Sequence, residues 1–161
     1  MGVNPLTIYF DQSLQHTVVQ TAVNVWSDAS TTTPTLYRND QYLLQLQVYS
    51  DSSTTPATEA NLAAINTSSL QLDIGLLGTA PIISINNSGG DFVTTDMDTG
   101  RLDCYINTHS ANLTASITTL SLKSYTMQIV GIDDSIGCTQ NIFVTPVIIR
   151  NVVGTGSGCT P

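Results

Sequence analysis

The stretch Gln41–Tyr49, QYLLQLQVY, decides the fold class. Tyr42, Leu44, Leu46 and Val48 fall on one side of an extended chain, and Gln41, Gln45 and Gln47 on the other. Successive side chains of a strand point to opposite faces, so a period of two with one apolar side marks a strand half-buried on a core. The pattern recurs downstream. In SLQLDIGLL, Leu70, Leu72, Ile74 and Leu76 oppose Ser69, Gln71, Asp73 and Gly75. In RLDCYIN, Leu102, Cys104 and Ile106 oppose Arg101, Asp103 and Tyr105, and in YTMQIVG, Tyr125, Met127 and Ile129 oppose Thr126, Gln128 and Val130. One apolar face per strand is the mark of antiparallel sheets with a wet outer side.

Further strands are expected at Leu6–Phe10 and Thr17–Trp26. Pro81–Ile85 and Asp91–Thr95 flank the turn NNSGG and read as a hairpin. The last strand, NIFVTPVIIRNVV, is apolar on both faces, and its Pro146 cannot donate to a ladder, which points to an edge strand or a bulge. Helical signal is confined to Pro56–Asn66 and Ser110–Leu122. About eight short strands separated by turn signals predict an all-β, antiparallel β-sandwich of immunoglobulin-like architecture. The Cys…Trp…Cys spacing of antibody domains is missing, because Trp26 precedes all three cysteines.

Composition agrees. The chain has 161 residues, enough for one domain with a real core, and 41% of them are hydrophobic. Only 10% are charged, with Glu59 the single Glu and Lys123 the single Lys. Abundant Thr favours strands, since β-branched side chains lose χ1 freedom in a helix. The polar stretch Ser27–Thr35, SDASTTTPT, reads as a linker. It divides residues 1–30, an expected extended N-terminal arm, from a sandwich over 31–153, followed by a flexible tail at 154–161.

The formal net charge is −8, and the four cations Arg38, Arg101, Lys123 and Arg150 are spread along the chain. Nothing can neutralise a run of phosphates, which disfavours nucleic acid and anionic membranes as partners. No basic segment followed by an apolar core opens the chain, so a secretory leader is not expected, and no apolar run of about 18 residues could span a bilayer. Cys104, Cys138 and Cys159 show no C-x-x-C spacing for zinc; reduced thiols are expected, a Cys104–Cys138 bridge being the alternative.

Three features invite a chemical reading. In TTDMDTGRLDCYINT, Asp96, Asp98 and Asp103 surround Gly100. They are the calcium candidates, but the calcium-loop pattern wants a ligand where Gly100 stands and a glycine where Arg101 stands. A turn is the simpler reading, with Gly100 at positive φ and Arg101 as counter-charge. GIDDSIGC reads the same way, with a second cation site as its functional alternative. Cys104 and His109 are spaced for a nucleophile and base, yet Cys104 shares the apolar face of Leu102 and Ile106, the setting of an inert thiol. The tail GTGSGC has Thr155 where a nucleophile elbow needs glycine. No cofactor is implied and no enzyme is expected. Tyr37, Tyr42, Tyr49 and Tyr105 could stack on sugars or simply decorate strand faces.

The order of segments resembles a known family. RNDQYLLQLQVYSD, then DFVTTDMDTGRLDCYIN, then YTMQIVGIDDSIGCTQNIFVTPVIIRNVV are similar to β-sandwich domains of tailed-phage virion proteins, such as the N-terminal domain of upper baseplate and fibre-attachment proteins. The resemblance covers roughly residues 36–153 and carries no catalytic motif. It implies a bacteriophage virion structural protein of the tail, baseplate or a fibre. Such a protein acts by packing against other virion proteins and copies of itself, in a particle assembled in the host cytoplasm. A charge-poor polar surface suits such packing, because few charges need desolvation. The arm residues Leu6, Ile8, Val23, Val25 and Trp26 are expected to reach a neighbouring subunit, and Phe143, Val147 and Ile149 of the two-sided last strand to form an exposed edge there. The alternatives are a carbohydrate- or receptor-binding module, which requires an exposed aromatic cluster or calcium loop, and a cell-surface or pilus-like subunit.

Overall fold

The computed structural model describes residues 3–29, 32–87, 90–108 and 122–150. The alternating segments pair into two sheets. The first holds β1 (Asn4–Asp11), β2 (His16–Ala22), β3 (Val25–Asp28), β5 (Gln41–Asp51), β6 (Thr58–Glu59), β9 (Phe92–Asp96) and β10 (Arg101–Asn107). Their order is β3-β2-β1-β5-β10-β9, with β6 paired to β5. The second holds β4 (Thr35–Tyr37), β7 (Gln71–Gly75), β8 (Ile83–Asn86), β11 (Leu122–Asp133) and β12 (Cys138–Arg150), in the order β4-β12-β11-β7-β8. A 3-10 turn, Thr67–Ser69, is capped by the Asn66 side chain. The protein is therefore an all-β sandwich.

Register follows hydrophobicity. Across β5 and β10, Leu46 faces Leu102, Leu44 faces Cys104 and Tyr42 faces Ile106. A slip of one residue would turn all of these into water, so the pairing is strongly specified. From the second sheet Leu72, Ile74, Met127, Ile129 and Phe143 close the core. Phe10 and Phe143 meet edge-to-face across the sheets, with ring centroids 5.3 Å apart and planes at 87°. Burying each such side chain stabilises the fold by about 1.5–3 kcal/mol.

The N-terminal residues do not form an extended arm. β1 lies between β2 and β5, parallel to β5 over its whole length, with Ile8 beside Leu46 and Phe10 beside Val48. Ile8 and Phe10 are buried in the core, where an arm held away from the sandwich would leave them wet. The sandwich begins at β1 rather than at residue 31, and β3 of the first sheet is followed in the chain by β4 of the second. Two ladders, β1–β5 and β4–β12, are parallel among otherwise antiparallel neighbours.

Other expectations change in detail. Thr17–Trp26 is not one strand: it reverses at Val23 and Asn24, the latter at φ 55°, to give the β2–β3 hairpin. Pro81–Ile85 and Asp91–Thr95 do not pair with each other. β8 pairs with β7, matching Ile83 to Ile74 and Ile85 to Leu72, whereas β9 pairs with β10 in the opposite sheet. Turn residues mark a change of direction and leave the partner unspecified. Pro56–Asn66 forms β6 and turns, with no helix. Ser110–Leu122, apart from Leu122 in β11, lies outside the described residues, as do His109, Cys159 and the tail at 154–161.

Phe143, Val147 and Ile149 are fully buried in the chain's own core, not at an exposed edge. Pro146 does sit toward an edge. The Ile148 N–H donates outward to Pro34 O at 2.9 Å. Residues two apart point the same way, and β4 pairs only from Ile148 onward. The proline nitrogen therefore lies on the side where no ladder partner reaches.

Candidate functional site

The Asp-rich stretch forms the β9–β10 turn. Gly100 is at φ +74°, and a Cβ there would lie 2.5 Å from Val48 O and 3.0 Å from Ala60 O. Its carbonyl accepts from Val48 N–H at 2.9 Å, Met97 O accepts from Leu62 N–H at 2.7 Å, and Gln47 Nε2 donates to Thr99 O at 2.6 Å. Asp103 points to the outer face of the sheet, where it accepts from Arg101 Nε at 2.9 Å and Nη2 at 3.3 Å. Asp96 stands opposite Arg101 at the end of β9, and Asp98 is exposed at the turn. These carboxylates do not converge: among the described residues no three His, Cys, Asp or Glu side chains are grouped to hold a metal ion.

A repeated turn device went unnoticed in the sequence. In Asp11-Gln12-Ser13, Asp51-Ser52-Ser53 and Asp133-Asp134-Ser135, the first carboxylate accepts from the N–H and Oγ–H of the serine two residues on. Asn66-Thr67-Ser68 does the same with an amide oxygen. The D/N-x-S spacing was the available signal. It also explains GIDDSIGC, whose Gly137, at φ +69°, closes the β11–β12 hairpin by donating to Asp133 O at 2.7 Å. Asp11 is the buried member. It also accepts from Leu14 N–H at 3.2 Å and, through Oδ2, from Ser52 N–H at 2.8 Å and the Ser52 hydroxyl. Burial alone would raise its pKa, but hydrogen bonds from Ser13, Ser52 and Leu14 outweigh it and hold the carboxyl at about 2.

Cys104 and Cys138 are not bridged. Cys104 is buried in β10 of the first sheet, and Cys138 is exposed at the start of β12 in the second. Burial, with the Asp91 charge nearby, pushes the Cys104 thiol up to about 12, so no nucleophile is available there. His16 lies with Nδ1 2.9 Å from Thr17 O and 3.5 Å from an Asp28 carboxylate oxygen.

Two surfaces remain. The first is an aromatic corner on the outer face of the first sheet, and sequence spacing gave little sign of it. Tyr9 of β1, Trp26 of β3 and Tyr49 of β5 are far apart in the chain and meet half-buried. The tyrosine rings are nearly parallel, at 18° with centroids 6.4 Å apart. The Trp26 ring is 5.0 Å from each and inclined at 64° to Tyr9 and 57° to Tyr49. Directly opposed residues share a face. Gln47 therefore stands beside Tyr9, Glu59 beside Tyr49, Gln20 beside Trp26 and Arg101 beside Gln47. Burial, with Tyr9 and Glu59 as neighbours, raises the Tyr49 phenol pKa. Of the other tyrosines, Tyr42 is buried and its Oη accepts from Tyr37 N–H at 2.8 Å, while Tyr37 is exposed. Tyr105 lines an open cleft of about 430 Å³ with Gln41, Ile82, Ser84, Asp91 and Asn107.

The second surface is the β2–β3 hairpin itself. Val19, Val23 and Val25 are 46%, 84% and 50% exposed. Thr17 faces Phe10 on the core side, and Val19, two residues on, shares that side at a point the second sheet does not cover. Beneath it runs a mostly apolar groove of about 280 Å³, lined by Ile8, Val18, Val19, Ala29 and Pro34 among others. Of the residues expected at an interface, Val23 and Val25 are therefore exposed. Trp26 belongs to the aromatic corner, Leu6 packs half-buried on the core, and Ile8, Phe143, Val147 and Ile149 lie inside the chain. Among the described residues no helix is long and apolar enough to cross a membrane. No protein-family model matches the chain, and no curated protein matches its sequence significantly.

Proposed function

We propose that this protein is a structural packing subunit of a bacteriophage virion, in the manner of the tail and baseplate sandwich domains its segment order resembles. It acts through protein–protein contact rather than through a reaction. The observation that carries the packing role is the β2–β3 hairpin, which ends the first sheet with three exposed valines, of which Val19 borders an apolar groove. An uncovered edge strand with apolar side chains is a template for association, and soluble monomers usually blunt such edges with charge or proline. Here the occupant is a second copy of the chain, its hairpin laid against this one. The sparse charge of the remaining surface keeps the desolvation cost of such contacts low.

The test is the mass of the purified full chain in solution, beside a variant carrying Val19→Ser, Val23→Ser and Val25→Ser. The wild type forms a defined oligomer. The variant runs as a monomer with a melting temperature close to that of the isolated wild-type subunit, because these side chains lie outside the core. A wild type that stays monomeric at high concentration refutes self-association. A variant that assembles normally moves the contact away from the hairpin.

A further inference from the structure

We propose that the corner formed by Tyr9, Trp26 and Tyr49 is a binding platform for a neutral sugar ring, on the face of the hairpin opposite the one that packs. Three half-buried aromatic side chains converge here from three strands, including the only Trp of a chain with 6% aromatic residues. Their geometry selects the ligand. With centroids 5.0–6.4 Å apart the rings already touch, so no group enters between them, and a cage around a quaternary ammonium is ruled out. A ligand must lie on the rings and offer them a flat apolar face. A pyranose does so with its axial C–H groups, while its equatorial hydroxyls point outward and require both donors and acceptors.

The rim supplies both kinds. Glu59, opposite Tyr49, is an acceptor. Gln20 beside Trp26 carries an amide, Gln47 beside Tyr9 offers its Oε1 as an acceptor while its Nε2 donates to Thr99 O and Val48 O, and the two phenol hydroxyls serve either way. Glu59 and Arg101 both lie on the β10 side of β5, and Arg101 is already engaged by Asp103. The buried Asp11, opposite Tyr49, and Asp28, two residues from Trp26, add carboxylates on the same face. The surplus of carboxylates disfavours an anionic ligand, and the closed ring cluster offers a cation no cage, which leaves a neutral ligand. A nucleobase would bring phosphates toward a protein of net charge −8, which is unfavourable. A peptide on the same rings would need an exposed apolar surround; Val18, opposite Tyr9, is buried, and Gln20, Gln47 and Glu59 are polar.

The single Trp makes the unmodified full-length protein its own reporter. Its emission is followed while methyl pyranosides of glucose and galactose, N-acetylglucosamine and short neutral oligosaccharides are added, with choline chloride as a counter-probe. A glycan array identifies the preferred epitope. At least one neutral glycan is expected to shift or quench Trp26 emission saturably at millimolar or lower concentration, with little dependence on salt. Tyr49→Ala and Trp26→Ala weaken that binding at least tenfold, the latter read by ligand-observed NMR. Trp26→Phe retains part of it, and Glu59→Gln weakens it several-fold. Circular dichroism melts confirm that each variant is folded. The valine variant of the hairpin keeps full sugar binding, so failure of the packing role and failure of this site are separable.

Four results overturn the proposal. No neutral glycan perturbs Trp26, or binding survives both alanine variants. Choline or only charged glycans bind, or Trp26→Ala changes the oligomeric state with no glycan recognised, which would make the corner a protein interface.

Discussion

At the scale of single residues, the Asp-rich turn is a matter of backbone geometry. Gly100 combines a positive φ with contact to two carbonyl oxygens, whereas Gly137 has a similar φ and open space around it. Gly137→Ala should cost only the left-handed penalty, about 1–2 kcal/mol. Gly100→Ala should cost about 1–3 kcal/mol more, because the Val48 and Ala60 backbone must move. Urea midpoints of the two variants measure the difference, and equal losses would show that the close approach is relaxed at no cost. Asp11 is the other residue with a readable consequence. Its folded pKa, about 2, lies below the ordinary 3.8. Its contribution is therefore fully present above about pH 4 and is lost as pH falls toward 2, amounting to about 2 kcal/mol. Asp11→Asn should lower stability at neutral pH and remove that part of the acid dependence. Parallel slopes of stability against pH in wild type and variant would contradict it. The sequence displayed both residues openly. It showed a glycine in a turn, and it could not show that Val48 and Ala60 close over it or that Ser52 reaches Asp11 from the bend after β5.

At the scale of elements, alternation located β5, β7, β10 and β11 with their inward faces, since a period of two is a property of the local chain. In contrast, β12, apolar on both sides, was legible as a strand without an inward face. It did not locate partners. LTIYF is a strand wherever it sits, and only the match of Ile8 to Leu46 and Phe10 to Val48 brings it into the first sheet. The consequence is testable. Removing residues 1–30 takes out β1, β2 and β3 together with the core side chains Ile8 and Phe10 and bares the edge of β5, so the truncated chain should fail to fold rather than fold without assembling. Phe10→Ala in the full chain should cost about 3–5 kcal/mol. Pairing it with Phe143→Ala in a double-mutant cycle should give a coupling of about 0.5–1.5 kcal/mol from the edge-to-face contact. Calorimetry and circular dichroism read both. A truncated chain with native melting behaviour would return the N-terminal segment to the role of a detachable arm.

For the whole molecule, the imbalance of twelve acidic side chains against four basic ones bears directly on assembly. Copies of a chain at −8 repel one another, while contact through the valine hairpin is apolar. Raising salt from low to physiological strength and above should therefore strengthen association or leave it unchanged. Sedimentation across a salt series checks this, and dissociation by salt would point to an ionic interface instead. Alternation, abundant Thr and Val, scarce charge and punctuating turns settled by themselves that the chain is an all-β sandwich, with Leu44, Leu46, Leu72, Ile74, Leu102, Ile106, Met127 and Ile129 facing inward. These are local properties, repeated often enough that only two packed sheets can satisfy them. Tertiary structure alone decided that the first thirty residues complete a sheet, and that Phe143, Val147 and Ile149 are spent inside the chain. It also decided that β8 and β9 join different sheets, and that Tyr9, Trp26 and Tyr49 meet. Each of these depends on which strand lies beside which, a choice made by long-range burial and register that no window of sequence contains.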